Sequence, residues 1–183
     1  NACASVHCVS FRLTRLRFLV GPPKQVIKSL DSINTSSGAV WGVVDANKIP
    51  ETSFPVWTDV RDIAKIHVLG ATEDIAKGSG EPCPSFITRE TVRDTDTEPV
   101  FPQHLCIAGH FDNSQIADVA RKAFPDQASR IPDAEVTSGP EHFKTDSSLV
   151  EKELGIKWIS FEDSVKDTLG QIFAIEKELK GSS

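Results

Sequence analysis

The amino-acid sequence predicts an α/β protein, and three stretches carry that prediction. In residues 54–72 the apolar pattern changes from that of a short strand to that of a helix. Residues 15–20 alternate as in a strand, which Gly21-Pro22-Pro23 then ends, because proline removes a ladder donor. Residues 160–180 repeat apolar side chains at helical spacing. Strands and helices that follow one another along the chain are typical of an α/β domain.

Two further elements are predicted between the first strand and residue 54. Pro23 to Ile33 has the spacing of an amphipathic helix, with Val26, Ile27 and Leu30 on one stripe. Residues 39–44 are apolar and rich in valine, which favours a short strand.

The change of period in the central stretch falls on Asp59-Val60-Arg61-Asp62. Phe54 to Thr58 reads as the strand, and the helical pattern starts at Ile63. Both acids are able to accept hydrogen bonds from the free N–H groups of a helix start, and Arg61 is a natural ion-pair partner for them. On local physics alone this is a strand-to-helix corner of any α/β protein.

The second half of the chain starts with a long loop and returns to regular elements. Residues 73–104 are rich in glycine, proline and polar side chains and predict a surface loop, more typical of an insertion than of a functional lid. Leu105 to Ala108 predicts a buried strand. Helices are expected after Asp112 and Asp146, the second ending at Gly155, before the long final helix.

The central stretch also carries a family resemblance. Trp57-Thr-Asp-Val-Arg-Asp-Ile-Ala-Lys-Ile-His-Val68 resembles the D-V-R-D motif of the extended short-chain dehydrogenase/reductases, in the branch of dihydroflavonol reductases and fungal aldehyde or methylglyoxal reductases. Residues 18–23 resemble the V-(F/Y)-G-P loop of that family, and residues 154–158 also match. The resemblance runs from about Arg15 to the C-terminus and covers the C-terminal, substrate-side half of the family pattern.

The resemblance implies a fold and a site. The fold would be a partial Rossmann-like sheet of C-terminal strands with the substrate-side α/β subdomain, in one domain from 15 to 183 after an irregular segment at 1–14. By resemblance Val20, Gly21 and Pro22 would form a residual cofactor-binding loop. Trp57 would contact substrate in the remaining half-cleft.

The chemistry of that family needs two features that this sequence lacks. Its glycines do not form a G-x-x-G-x-x-G or G-x-G-x-x-G turn for a pyrophosphate, and it contains no tyrosine for the Tyr-x-x-x-Lys pair. We therefore assign no catalytic residue. The family uses NADPH or NADH, but no cofactor is expected for this chain alone, and a small carbonyl compound should bind weakly.

Other candidate sites are weaker. His67 is predicted on the apolar side of its helix, as a core histidine with one hydrogen-bond partner. Cys3, His7 and Cys8 lack a fourth ligand at suitable spacing, so no metal site is predicted.

Composition limits the possible partners. The net charge of −6 argues against nucleic acid, and no apolar run is long enough to cross a membrane, so we expect a cytoplasmic protein. Residues 1–30 hold 5 basic residues and no acid, which leaves 15 basic and 26 acidic residues in the remainder. This asymmetry would favour contacts between copies.

Two functional hypotheses follow. The first is a truncated carbonyl reductase-like protein that retains the substrate-side half and is inactive alone. The alternative is a non-catalytic binding module, in which a second copy or a protein partner covers the open sheet.

Overall fold

A computed structural model describes residues 19–72, 105–133 and 143–181 of the chain. The elements in these residues are β1 (Leu19–Val20), α1 (Thr35–Trp41), β2 (Val56–Asp59), α2 (Val60–Thr72), β3 (Gly109–His110), α3 (Asn113–Ala123), α4 (Ser148–Leu154) and α5 (Phe161–Gly181). Short 3-10 helices cover Leu30–Ser32 and Pro125–Arg130. Among the described helices, none combines the length and apolarity needed to cross a bilayer.

The three strands form a small mixed sheet in the order β1-β2-β3. β1 runs parallel to β2, with Val20 opposite Asp59, and β3 runs antiparallel, with Val56 opposite His110. A parallel pair needs a crossover connection, and here that connection contains α1. The predicted α/β class and partial Rossmann-like sheet are confirmed.

Two apolar clusters lie around this sheet. The larger joins β1 and β2 to α1, α3 and α5 and contains Val20, Val40, Trp57, Ile116 and Leu169. The smaller joins α2 to α4 and to the segment that precedes β3. β2 is buried along its whole length because it lies between its two partner strands.

Several predicted elements are confirmed at their predicted places. The strand-to-helix corner is β2 running directly into α2. α3 begins after Asp112, whose side chain accepts from Ser114 N at 2.8 Å while Gln115 Oε1 accepts from Asp112 N at 2.8 Å. Gly155 ends α4 in the left-handed region, at φ +59°.

The helix predicted from Pro23 to Ile33 is wrong. Only Leu30–Ser32 are helical, as a 3-10 turn, and Val26 is 86% exposed instead of facing the core. Ser29 N donates to Ser32 Oγ at 3.2 Å, and Ser32 Oγ donates to Ser29 O at 2.7 Å. Such local side-chain bonds compete with helix formation, and of the predicted stripe only Ile27 is buried.

The strand predicted at 39–44 is also wrong. These residues belong to α1 and the turn that follows it. Asn34 starts the helix, because its Oδ1 accepts from Ser37 N at 2.8 Å, and Val40 is fully buried in the larger cluster. Capping and burial therefore outweigh the strand preference of valine.

The strand predicted at Leu105–Ala108 is displaced along the chain. The ladder residues are Gly109–His110, although Ala108 N already donates to Trp57 O at 3.0 Å. Cys106 and Ile107 are buried as predicted. The irregular segment at 1–14 and the loop at 73–104 lie outside the described residues.

Candidate functional site

The predicted cofactor loop leaves the sheet at the carboxyl end of β1. Val20 is fully buried, Gly21 has φ +131°, and Pro22 is half-buried. Gly21 N donates to Thr168 Oγ1 on α5 at 2.9 Å. Thr168 Oγ1 in turn donates to Ser164 O at 2.7 Å. The loop is thus held by a helix that begins about 140 residues later in the chain.

Glycine is required at position 21 for two separate reasons. Its φ lies in the region that residues with a side chain rarely adopt. A Cβ would also lie 2.7 Å from Val60 Cγ1 and 3.1 Å from Asp59 Oδ1. The loop therefore runs directly against the first turn of α2.

The Asp59 carboxylate is the polar centre of this corner, and its side chain is fully buried. Its oxygens accept from Arg61 N at 2.8 Å, Arg61 Nε at 2.9 Å, Arg61 Nη2 at 2.8 Å and Ser164 Oγ at 2.6 Å. Burial raises the pKa of Asp59, but hydrogen bonds from Arg61 and Ser164 outweigh it and leave the pKa below its usual value. A carboxylate with all these donors is a structural anion and is not suited to proton transfer.

Arg61 is held between two acids. Its Nη2 pairs with Asp59, and its Nη1 lies 2.6 Å from Asp167 Oδ2 on α5. The hydrogen bond to Asp59 raises the pKa of Arg61, so the guanidinium is always charged. The predicted ion pair with Asp59 is confirmed, whereas Asp62, the other predicted partner, accepts from Ile159 N instead. Because both sides of its fork are engaged, Arg61 is a poor candidate for binding a phosphate.

Asp62 does not cap its own helix, so that part of the sequence prediction is wrong. Its carboxylate is buried and accepts from Ile159 N at 2.9 Å, which fixes the segment between α4 and α5. Burial raises the pKa of Asp62. Of the two acids, Asp59 supplies the acceptor for a free N–H at the start of α2, through Arg61 N.

Trp57, the predicted substrate contact, is 6% exposed and belongs to the larger apolar cluster. Its ring meets that of Phe161 edge-on, with 5.2 Å between the centroids. Val20 lies in the same cluster, so the structure brings the two predicted positions together. A substrate role for Trp57 stays a prediction.

The other candidates from the sequence do not form a reactive group. His67 is exposed, contrary to the predicted core position, although its Nδ1 lies within hydrogen-bond distance of Ile63 O, at 2.7 Å. Burial raises the pKa of the Cys106 thiol to about 11, so it is protonated at neutral pH. Within the described ranges, side chains do not cluster as a metal site would require. Cys3, His7 and Cys8 lie outside them.

Ser164 and Thr168 are site residues that the sequence analysis missed. They lie one helical turn apart on α5, on the face that also carries Val165 and Leu169 into the core. Two small hydroxyl residues among buried apolar positions were the available signal, since a buried hydroxyl needs a partner. That signal does not identify Gly21 and Asp59 as the partners.

Two yeast proteins are similar to this chain in sequence. The chain is 26% identical over 178 residues to the NADPH-dependent methylglyoxal reductase of Saccharomyces cerevisiae, covering 92% of this chain and 45% of that protein. It is 29% identical over 164 residues to a protein of Schizosaccharomyces pombe that is named as an oxidoreductase, covering 89% of this chain and 42% of that protein. The chain thus spans less than half the length of these relatives. No protein-family profile matches it.

Solved structures show the same fold. The crystal structure of Gre2 from Candida albicans superimposes with a TM-score of 0.63 at 24% identity, over 87% of this chain and 43% of that one. The yeast methylglyoxal/isovaleraldehyde reductase complexed with NADPH gives a TM-score of 0.59 at 22% identity, over 87% and 44%.

Proposed function

We propose that this chain is the substrate-side half of a carbonyl reductase and does not turn over substrate alone. The basis is its membership of the extended short-chain dehydrogenase/reductase family and its relation to the yeast NADPH-dependent methylglyoxal reductases. The related enzymes are named for methylglyoxal and isovaleraldehyde, so we propose small aldehydes and ketones as the substrate class.

The Gly21 corner is the observation that carries this proposal. The D-V-R-D motif is used to hold the loop after β1: Asp59 lies against Gly21, and Thr168 and Ser164 tie both to α5. A loop fixed from two sides is suited to present a constant surface to a bound cofactor and substrate. This supports roles for Val20, Gly21 and Pro22 in positioning the cofactor and the substrate. Proton transfer is left to residues that this chain does not contain.

Binding of NADPH by this chain alone should be weak. The sequence has no glycine-rich turn, and its net charge of −6 repels a dinucleotide. Arg61, which pairs with Asp59 beside the loop, is already engaged by two acids. A cofactor-binding half has to supply the phosphate contacts.

A chimera tests the proposal directly. Residues 15–183 replace the matching part of the S. cerevisiae reductase, and NADPH oxidation is followed with methylglyoxal and isovaleraldehyde. We expect turnover by the chimera and none by the 183-residue chain or by the yeast half alone. A chimera that folds and binds NADPH without turnover would contradict a substrate-side role.

A titration of NADPH against the 183-residue chain, followed by tryptophan fluorescence, tests the expectation that this chain alone binds NADPH weakly. We expect no saturation in the micromolar range. Saturable micromolar binding, or aldehyde reduction by this chain, would show that it holds the cofactor without the other half.

A further inference from the structure

A cleft lies at the amino end of β2, away from the Gly21 corner. It has a volume of about 430 Å³ and runs between α1 and the segment 50–54 that leads into β2. Gly21 packs against Asp59 at the carboxyl end of the same strand. The two sites are therefore at opposite ends of β2.

The walls of the cleft are mainly apolar. The small residues Ala39 and Gly42 line it on the side of α1, and Phe54 and Phe111 line other parts of it. Phe111 is buried and tied to the strand, because its N–H donates to Pro55 O at 2.8 Å. A volume of this size with apolar walls is typical of a small-molecule site, and the two rings favour an aromatic ligand.

Asn113 adds a polar group to this wall. It is 7% exposed and lines the cleft. Its Nδ2 donates to Pro50 O at 3.1 Å and Glu51 O at 3.2 Å, and its backbone N donates to Thr52 Oγ1 at 2.9 Å. In the described part of the chain these bonds use only N–H groups. The amide oxygen Oδ1 is not among the side-chain atoms that the described residues bury without a partner, so it is open to solvent and can accept from a ligand.

Charge narrows the ligand class. Among the residues that the structure describes, Glu51 is the only charged one that lines the cleft. It is exposed at the rim, so it disfavours an acidic ligand and tolerates a neutral or cationic one.

We propose that this cleft binds a small aromatic alcohol or amine, with the ring between Phe54 and Phe111 and the O–H or N–H donated to Asn113 Oδ1. The proposal does not depend on the reductase function, because the cleft and the Gly21 loop lie at opposite ends of β2.

Three matched probes test the ligand class by amide chemical shifts of the isotopically labelled chain. Benzyl alcohol should bind with a dissociation constant on the order of 1 mM, with the largest shifts at Thr52, Ser53 and Phe111. Benzyl methyl ether, which lacks the donor, should bind about fivefold more weakly. Benzoate should bind more weakly still. Equal binding of the ether or of benzoate, or shifts confined to other residues, would overturn the proposal.

A substitution tests the location. Ala39→Leu fills the cleft from α1 and should weaken benzyl alcohol binding at least about tenfold. The matched control is Ala174→Leu on the exposed side of α5, which should leave binding unchanged. Unchanged binding by a folded Ala39→Leu variant would overturn the proposal. If that variant does not fold, the shift map of the unsubstituted chain decides the location.

Discussion

Gly21 is the residue at which backbone conformation and packing act together. Gly21→Ala places a Cβ 2.7 Å from Val60 Cγ1 and forces a side chain into φ +131°. We expect a loss of about 2–4 kcal/mol in the free energy of unfolding, because strain and overpacking add. Chemical denaturation measures this loss.

Gly155 provides the control for the Gly21 prediction. It also has positive φ, at +59°, but a Cβ there meets nothing within 4 Å. Gly155→Ala should cost only about 1 kcal/mol. Equal losses for both variants would mean that the contact with Val60 has no energetic effect.

Asp59 should control part of the acid sensitivity of the fold. Its folded pKa is lowered, so below about pH 4 the folded state binds fewer protons at this site than the unfolded state does. The stabilisation is therefore fully present above the unfolded pKa and is lost as the pH falls through the folded pKa.

The variant Asp59→Asn tests this pH dependence. At pH 7 it should be less stable by about 1.5–3 kcal/mol, because the charged hydrogen bonds to Arg61 and Ser164 are weakened. The difference from the unsubstituted protein should shrink as the pH falls below about 4. Other lowered carboxylates, such as Glu176, titrate in both proteins and cancel in this comparison. A difference that stays constant with pH would contradict the role of the Asp59 charge.

At the scale of elements, α5 connects the end of the chain to the loop after β1. Thr168→Val removes the acceptor of Gly21 N but keeps the shape of the side chain. We expect a loss of about 1–3 kcal/mol and faster hydrogen exchange at the Gly21 amide. Thr168→Ser, which keeps the hydroxyl, is the control and should preserve the protection of that amide. Unchanged exchange in Thr168→Val would mean that the bond does not hold the loop.

A second arginine joins the 3-10 helix at Pro125–Arg130 to α5. Arg130 donates to Glu176 through Nη1 and Nη2, both at 2.9 Å, and its Cζ lies 5.8 Å from the Trp41 ring centroid and 5.7 Å from that of Phe173. Its guanidinium is mostly buried, so planar geometry matters more than charge.

The conservative change Arg130→Lys tests this geometry. Lysine keeps the charge but loses the two-pronged hydrogen bond and the stacking, so we expect a loss of about 1–2 kcal/mol. Lys122→Ala removes an exposed pair with Asp118 and should change stability by less than about 0.5 kcal/mol. Thermal or chemical denaturation of both variants gives the comparison. An Arg130→Lys variant as stable as the unsubstituted protein would mean that the positive charge alone accounts for the stabilisation.

At the scale of the whole molecule, self-association stays a prediction. β1 is an edge strand of the described sheet, and strand edges pair with other chains unless they are covered. The basic first thirty residues and the acidic remainder would add attraction between copies. Light scattering should give a mass above 20.0 kDa that falls with added salt. A monomer at all concentrations would contradict both the association and its electrostatic part.

Local signals explain why much of the fold was predictable. The change of period at Asp59, the cap at Asp112, the stop at Gly155 and the apolar stripe of α5 each depend on residues a few positions apart. These patterns report physics that acts within one or two helical turns. The family resemblance drew on the same corner and located the loop at Val20 to Pro22.

The sequence by itself therefore determined the fold class, the corner at Asp59 and the need for glycine-dependent turns. Only the tertiary structure decided the secondary structure of residues 23–44 and the hydrogen-bond partners of Gly21 and Asp59. The Gly21 to Thr168 bond joins residues 147 positions apart, and the bond from Ser164 to Asp59 joins residues 105 apart. Val26 is exposed and Val40 is buried, because Val40 lies on α1, which packs against α5 and β1. Burial and long-range hydrogen bonding depend on which surfaces meet after folding, and no local pattern encodes that meeting.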